Sequence, residues 1–202
     1  PITPTDFAIQ RGGEKARVIQ LVPGQILTRT RIEKVRTGNG LVLSDTDVDT
    51  LKLAVIERHH GTGRIGLGLV KGFGLKQGAL ASTVAHDSHN LIVVGVEDRD
   101  LHRAVNELKE IGGGMVAVAD GEVLARVPLE IAGLLSREDL ETVAGQVREL
   151  NLAAAKLGCA IPDPFMGLSF LALPVIPELK LTDRGLVDVN KFTLVPLFFE
   201  GN

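Results

Sequence analysis

Residues 79–127 read ALASTVAHDSHNLIVVGVEDRDLHRAVNELKEIGGGMVAVADGEVLARV, and this stretch decides the fold class. It opens with two apolar segments, Ala79 to His86 and Leu91 to Val96, on either side of the polar tetrapeptide Asp87-Ser88-His89-Asn90. The second segment is almost continuously apolar, the pattern of a strand buried on both faces. A helix follows, because Leu101, Ala104, Val105, Leu108 and Ile111 recur at helical spacing. Asp98 or Asp100 can cap its start, and Gly112 to Gly114 end it. Met115 to Ala119 and Glu122 to Val127 then form a hairpin around Asp120-Gly121, a favoured pair for a type I′ turn.

Outward from this centre the pattern continues in both directions. Arg17 to Val22 and Gln25 to Val35 read as strands separated by Pro23-Gly24, Gly38-Asn39-Gly40 is a further turn, and Leu51 to Arg58 is a third strand. Between Gly61 and Gly78 seven glycines predict a flexible or tightly turned backbone. On the C-terminal side a second helix is expected from Ser136, whose hydroxyl can accept the N–H of Asp139. It carries Leu140, Val143, Ala144, Val147, Leu150, Ala154 and Leu157 inward and stops at Gly158. Strands are expected at Leu179 to Leu181, Leu186 to Val189 and Phe192 to Phe199. The order of strands, helix, hairpin, helix and strands predicts an α+β fold of mostly antiparallel sheet layers with two main packing helices.

Composition narrows the function classes. The 202 residues are 45% hydrophobic and 23% charged, enough to build a core. A net charge of −3, no Trp or Tyr and only seven Phe argue against nucleic-acid and membrane partners held by charge or stacking. The single cysteine, Cys159, excludes an internal disulfide and fits a cytoplasmic compartment. The most apolar stretch, Phe165 to Pro177, is too short for the roughly 20 residues of a membrane span. The N-terminus has no secretory pattern and no initiator Met, so the chain is expected to be a fragment.

Two segments are candidates for chemistry. Gly61-Thr62-Gly63-Arg64-Ile65-Gly66 matches the dinucleotide pattern G-x-G-x-x-G, but no helical periodicity follows to receive a phosphate. Ala85-His86-Asp87-Ser88-His89-Asn90 places two imidazoles and a carboxylate within four positions at a strand end. His86, Asp87 and His89 can ligate a metal, hydrogen-bond a polar heterocycle or move protons; equally, Asp87 and Asn90 suit a structural turn. His59 and His60 are weaker candidates, since neighbours on a strand point to opposite faces. His102 reads as solvated and Cys159 as a small buried residue.

The ordered blocks Glu57-Arg58-His59-His60, Val70 to Gly95, Gly112-Gly113-Gly114, Pro128 to Leu134 and Pro164 to Pro177 resemble the C-terminal region of the bacterial and archaeal adenine deaminase family. The resemblance implies hydrolysis of adenine to hypoxanthine and ammonia by metal-activated water, in an amidohydrolase-type (β/α)₈ barrel that precedes this region. It implies manganese, iron or zinc, held mainly in that barrel, and a homo-oligomer. No catalytic residue is expected in this segment, which alone should be inactive. Residues 1–50 are expected to belong to a small β-domain flanking the barrel, and 51–202 to the C-terminal α+β domain. His86, Asp87, His89 and Asn90 are then expected to close the purine pocket or hold an accessory metal. The alternatives are a non-catalytic assembly module presenting Phe165 to Pro177, or a free-standing purine- or nucleotide-binding domain.

Overall fold

A computed structural model describes residues 2–199. After a 3₁₀ turn at Pro4–Phe7 come β1 (Ile9–Gln10), β2 (Lys15–Leu21), β3 (Thr28–Lys34), β4 (Thr37–Gly38) and β5 (Leu41–Val42). The centre holds β6 (Leu51–Ile56), β7 (Ile65–Lys71), β8 (Ala79–Ser82), β9 (Leu91–Gly95), α1 (Asp98–Glu110), β10 (Gly114–Ala119) and β11 (Glu122–Pro128). The chain continues through α2 (Leu140–Lys156), α3 (Pro164–Ser169), β12 (Leu179–Thr182), β13 (Gly185–Asp188) and β14 (Thr193–Val195).

Eight strands form one sheet in the order β11-β10-β8-β9-β6-β7-β2-β3. Only β2 and β7 run parallel; every other neighbouring pair is antiparallel. Strand alternation divides the core in two. Leu53 and Val55 of β6, Leu80 of β8, Ile92 and Val94 of β9 and Ala117 of β10 face α2, α3 and the β12–β13 hairpin. The residues between them, among them Ala54, Ala81, Val93, Val116 and Val118, meet Leu101, Ala104, Val105 and Leu108 of α1. The α+β expectation holds, with one strand run after another buried on both sides. Residues 1–50 supply β2 and β3 to this same sheet, and also the small sheet β1-β5-β4.

Several local expectations change. Glu97, not Asp98 or Asp100, is the N-cap of α1, without a side-chain cap bond. Asp100 instead accepts the N–H groups of Asp120 and Gly121 and pins the hairpin turn, whose φ values of 52° and 79° are those of the expected type I′ pair. Helix α2 starts one turn later than expected: Asp139 accepts from Thr142 N at 2.8 Å, whereas Ser136 Oγ accepts only from Glu138 N. Leu140, expected inward, is 83% exposed because it lies at that first turn, ahead of the packed half of the helix. Helix α3, six residues opened by Asp163 and Pro164, is too short to show periodicity and was not expected. It turns Phe165 and Leu168 to the sheet, with Leu171 and Ala172 behind them, so these four residues of the Phe165 to Pro177 stretch are core and only Met166 and Val175 are exposed among its large apolar side chains.

The glycine-rich stretch is also more ordered than its composition predicts, since Gly66 and Gly68 lie inside β7. They serve close packing. A Cβ at Gly66 would overlap the Thr182 carbonyl oxygen, and one at Gly68 would touch Leu181, so bare backbone here lets the β12–β13 hairpin press on the sheet. Gly66→Ala is therefore expected to cost about 2 kcal/mol, as overpacking against backbone does. Urea unfolding of the variant and parent checks it; equal midpoints would contradict this packing.

Candidate functional site

Register brings two connections out of the sheet side by side. Ile56 pairs with both Ile65 and Leu91, so the turn after β6 and the loop before β9 emerge at the same end. β6 stops at Ile56, and Glu57 is the hub of the turn that follows. Its Oε1 accepts from His59 N (2.6 Å) and His60 N (2.7 Å), and its Oε2 accepts from Thr62 N (3.0 Å) and Thr62 Oγ1 (2.9 Å). Bonding from the Thr62 amide first, and then from the His60 amide, the Thr62 hydroxyl and the His59 amide, outweighs burial and holds this carboxyl down at about 2. Because the chain turns at Glu57, the two histidines do not simply alternate across a strand.

His59 and the His86–Asn90 loop are brought together, while His60 stays exposed. His59 Nε2 donates to Ser88 O at 2.7 Å. Arg58 reaches past it, donating from Nε to His89 O at 2.6 Å and from a terminal nitrogen to Ala132 O at 2.7 Å. Burial lowers the Arg58 pKa, and carbonyl oxygens are the acceptors recorded for its charge. Within the loop, His89 has φ 51°, a left-handed conformation that His tolerates better than bulky residues. Its amide donates to Ala85 O at 2.7 Å, and its Nδ1 accepts from Ala85 N at 3.3 Å, which leaves the ring proton on Nε2. The start of the loop is tied to α3: His86 N donates to Ser169 O at 2.9 Å, and the His86 ring lies 4.9 Å from the Phe170 ring.

Burial, followed by repulsion from His86 and Arg58, lowers the His89 pKa, with Asp87 opposing. This imidazole is thus neutral at neutral pH, a hydrogen-bonding group and not a fixed cation. The His86 and His89 rings are 5.4 Å apart, edge to face. Asp87 and Ser88 border an open cleft of about 460 Å³. Ala172, Pro174 and Val175 form its apolar wall, and Thr182, Asp183 and Arg184 of the β12–β13 turn its far side. His86, His89 and Asn90 are not among the residues lining this cleft, and a smaller hollow of about 260 Å³, near Arg11 and Lys34, has no imidazole in its lining either.

A metal is poorly served here. Among the described residues no three His, Cys, Asp or Glu side chains converge as a ligand set, and His89 Nδ1 and His59 Nε2 are already engaged. These residues do not fit an accessory metal. The glycine pattern at 61–66 leads into strand β7 and not a helix, so the phosphate-binding arrangement of that motif is absent among the described residues. His102 is half-buried, its Nε2 bonded to Ile2 O at 3.0 Å, and Cys159 is half-buried with a thiol pKa raised by burial. Asp183 and Arg58 escaped the sequence reading; each meets the loop through contacts distant in sequence.

The Glu57 bonds have a consequence for pH. A carboxyl at about 2 when folded, against an ordinary 4.5, stabilises the fold above pH 4.5, and that contribution is lost as pH falls toward 2. Glu57→Gln is expected to flatten this part of the acid-unfolding curve. An unchanged pH dependence between 4.5 and 2 would contradict the assignment.

The adenine deaminase C-terminal domain model matches residues 25–193. A protein named adenine deaminase from Desulfatibacillum aliphaticivorans is 56% identical over 193 residues, 96% of this chain and 34% of that protein. One of the same name from Methanothrix thermoacetophila is 54% identical over 99% of this chain and 35% of its own length. A Brucella melitensis protein, also named adenine deaminase, is 52% identical over 96% of this chain and 33% of its own. The chain spans about a third of the length of the curated relatives it matches. With most of its length matched and these identities behind it, the chain belongs to the adenine deaminase C-terminal domain family.

Proposed function

We propose that this chain is the C-terminal part of an adenine deaminase that converts adenine and water to hypoxanthine and ammonia. In that reaction water adds its oxygen at C6 and the amino group leaves as ammonia. The water is activated in the preceding barrel, where the manganese, iron or zinc of this reading also belongs. The part of the present chain is to close the purine pocket with the His86–Asn90 loop. Residues 51–202 form the covering domain, and residues 1–50, which in this reading lead in from the small β-domain beside the barrel, join its sheet through β2 and β3. Cytoplasmic location and a homo-oligomer belong to the same reading; the exposed Leu140, Leu152 and Phe192 suit subunit contacts.

The observation that carries the covering role is how the loop is held. Arg58, His59 and the Ser169 carbonyl fix its backbone, while the carboxylate of Asp87 and the hydroxyl of Ser88 stand exposed at the cleft. A fixed backbone with exposed polar side chains is a preorganised hydrogen-bonding surface. The neutral His89, with its proton on Nε2, is suited to donate to a ring nitrogen of a purine. At the cleft itself the Asp87 carboxylate and the Ser88 hydroxyl suit the donors and acceptors on a purine edge.

His86→Ala/His89→Ala in the longer enzyme is expected to lower kcat/KM for adenine about tenfold, the worth of roughly one hydrogen bond, with metal content unchanged. Steady-state deamination followed by absorbance, beside metal analysis, checks this. Unchanged kinetics would make the loop structural, and lost metal would restore the accessory-metal reading.

A further inference from the structure

Asp183, at the tip of the β12–β13 hairpin, touches both of the other segments that meet at this end of the sheet. Its Oδ2 accepts from Arg64 Nε at 2.7 Å, just before β7, and its Oδ1 accepts from the Asn90 side-chain amide at 3.4 Å. Asn90 closes the His86–Asn90 loop and is 5% exposed. Its own Oδ1 is buried with no partner among the described residues. The amide cannot be turned over, because that would set its oxygen against the Asp183 carboxylate. The recorded side-chain anchorage of Asn90 is therefore the single bond to Asp183.

The hairpin that carries Asp183 has little freedom. The Thr182 backbone lies against Gly66, where not even a methyl group fits, and the Arg64 pair holds the carboxylate from the other side. Asp183 is only 13% exposed at its side chain, yet it also lines the cleft opposite Asp87 and Ser88. One carboxylate thus links the fixed hairpin, the turn after β6 and the end of the loop. The other ties of the loop run to Arg58, His59 and Ser169, so losing Asp183 frees its C-terminal end without dissolving it.

We infer that Asp183 is the positioning residue of the His86–Asn90 loop, holding Asn90, and through it the loop backbone that sets Asp87 and Ser88 at the rim of the cleft. The kinetic consequence rests on the covering role proposed above; the tether itself does not. Asp183 makes no contact with reacting atoms in this account. It acts by keeping the loop in the geometry that receives the base, so its loss weakens substrate capture more than turnover.

Four variants test this: D183A, D183N, N90D and the exchange N90D/D183N. D183N keeps an oxygen for the Asn90 amide, N90D sets two carboxylates face to face, and the exchange restores one amide and one carboxylate. Amide hydrogen exchange of the 202-residue chain reads the tether directly. The His89 amide, bonded to Ala85 O, is expected to exchange about tenfold faster in D183A and N90D. It should stay within about threefold of the parent in D183N and in the exchange, with β9 and α1 protection unchanged throughout. In the longer enzyme D183A is expected to raise KM for adenine about tenfold with kcat within about threefold, and the exchange to restore KM. Parent-like His89 exchange in D183A, failure of the exchange pair to recover, or lost protection across β9 and α1 would each overturn the proposal. Faster His89 exchange with unchanged KM would keep Asp183 as the tether and overturn the covering role of the loop instead.

Discussion

Burial of β6, β8, β9 and β10 on both faces is the constraint from which the rest of the structure follows. Side chains alternate across a sheet, so strands that are apolar at consecutive positions need cover on two sides. Helix α1 supplies one cover, and α2, α3 and the β12–β13 hairpin supply the other. The second cover is made from separate pieces, and the joints between them fall at the end of the sheet where β6 stops and β9 begins. The His86–Asn90 loop and the turn at Glu57 sit at those joints. Their position is a by-product of how the sheet is closed.

Polar bonding then makes this end of the molecule definite. Glu57 gathers two backbone amides at Oε1 and both the amide and hydroxyl of Thr62 at Oε2, turning a segment with two glycines into a fixed turn. Arg58 donates to carbonyl oxygens of the loop and of residue 132, so its removal would release two segments at once. Asp183 performs the matching task from the hairpin. The outcome is a loop with its main chain held and its Asp87 and Ser88 side chains exposed, which suits a surface that meets a ligand or a neighbouring domain.

Much of this was legible in the sequence where the signal is local. The apolar run Leu91 to Val96, the helical spacing from Leu101 to Ile111 and the Asp120-Gly121 turn each report on neighbours in the chain, and each element is present. The His86–Asn90 segment was legible as a polar turn and as a candidate for chemistry, because two imidazoles and a carboxylate fall within four positions there. What could not be read depends on distant contacts. Gly66 and Gly68 suggest a loop by propensity, yet their lack of side chains is what allows Thr182 and Leu181 to approach. The start of α2 was misplaced because Ser136 and Asp139 both suit a cap, and packing of the later turns selects between them. Asp183 lies in an unremarkable turn, and only the fold brings it to Arg64 and Asn90.

In the function proposed above, this chain completes an adenine deaminase site whose water is activated in the preceding barrel. The direct test is conversion of adenine to hypoxanthine by the purified 202-residue chain, by the separately expressed preceding portion, and by the two mixed, each supplied with manganese, iron or zinc. The account predicts no conversion by this chain alone and conversion by the mixture well above that of the preceding portion. Conversion by this chain alone, or a preceding portion as active without it as with it, would contradict the account.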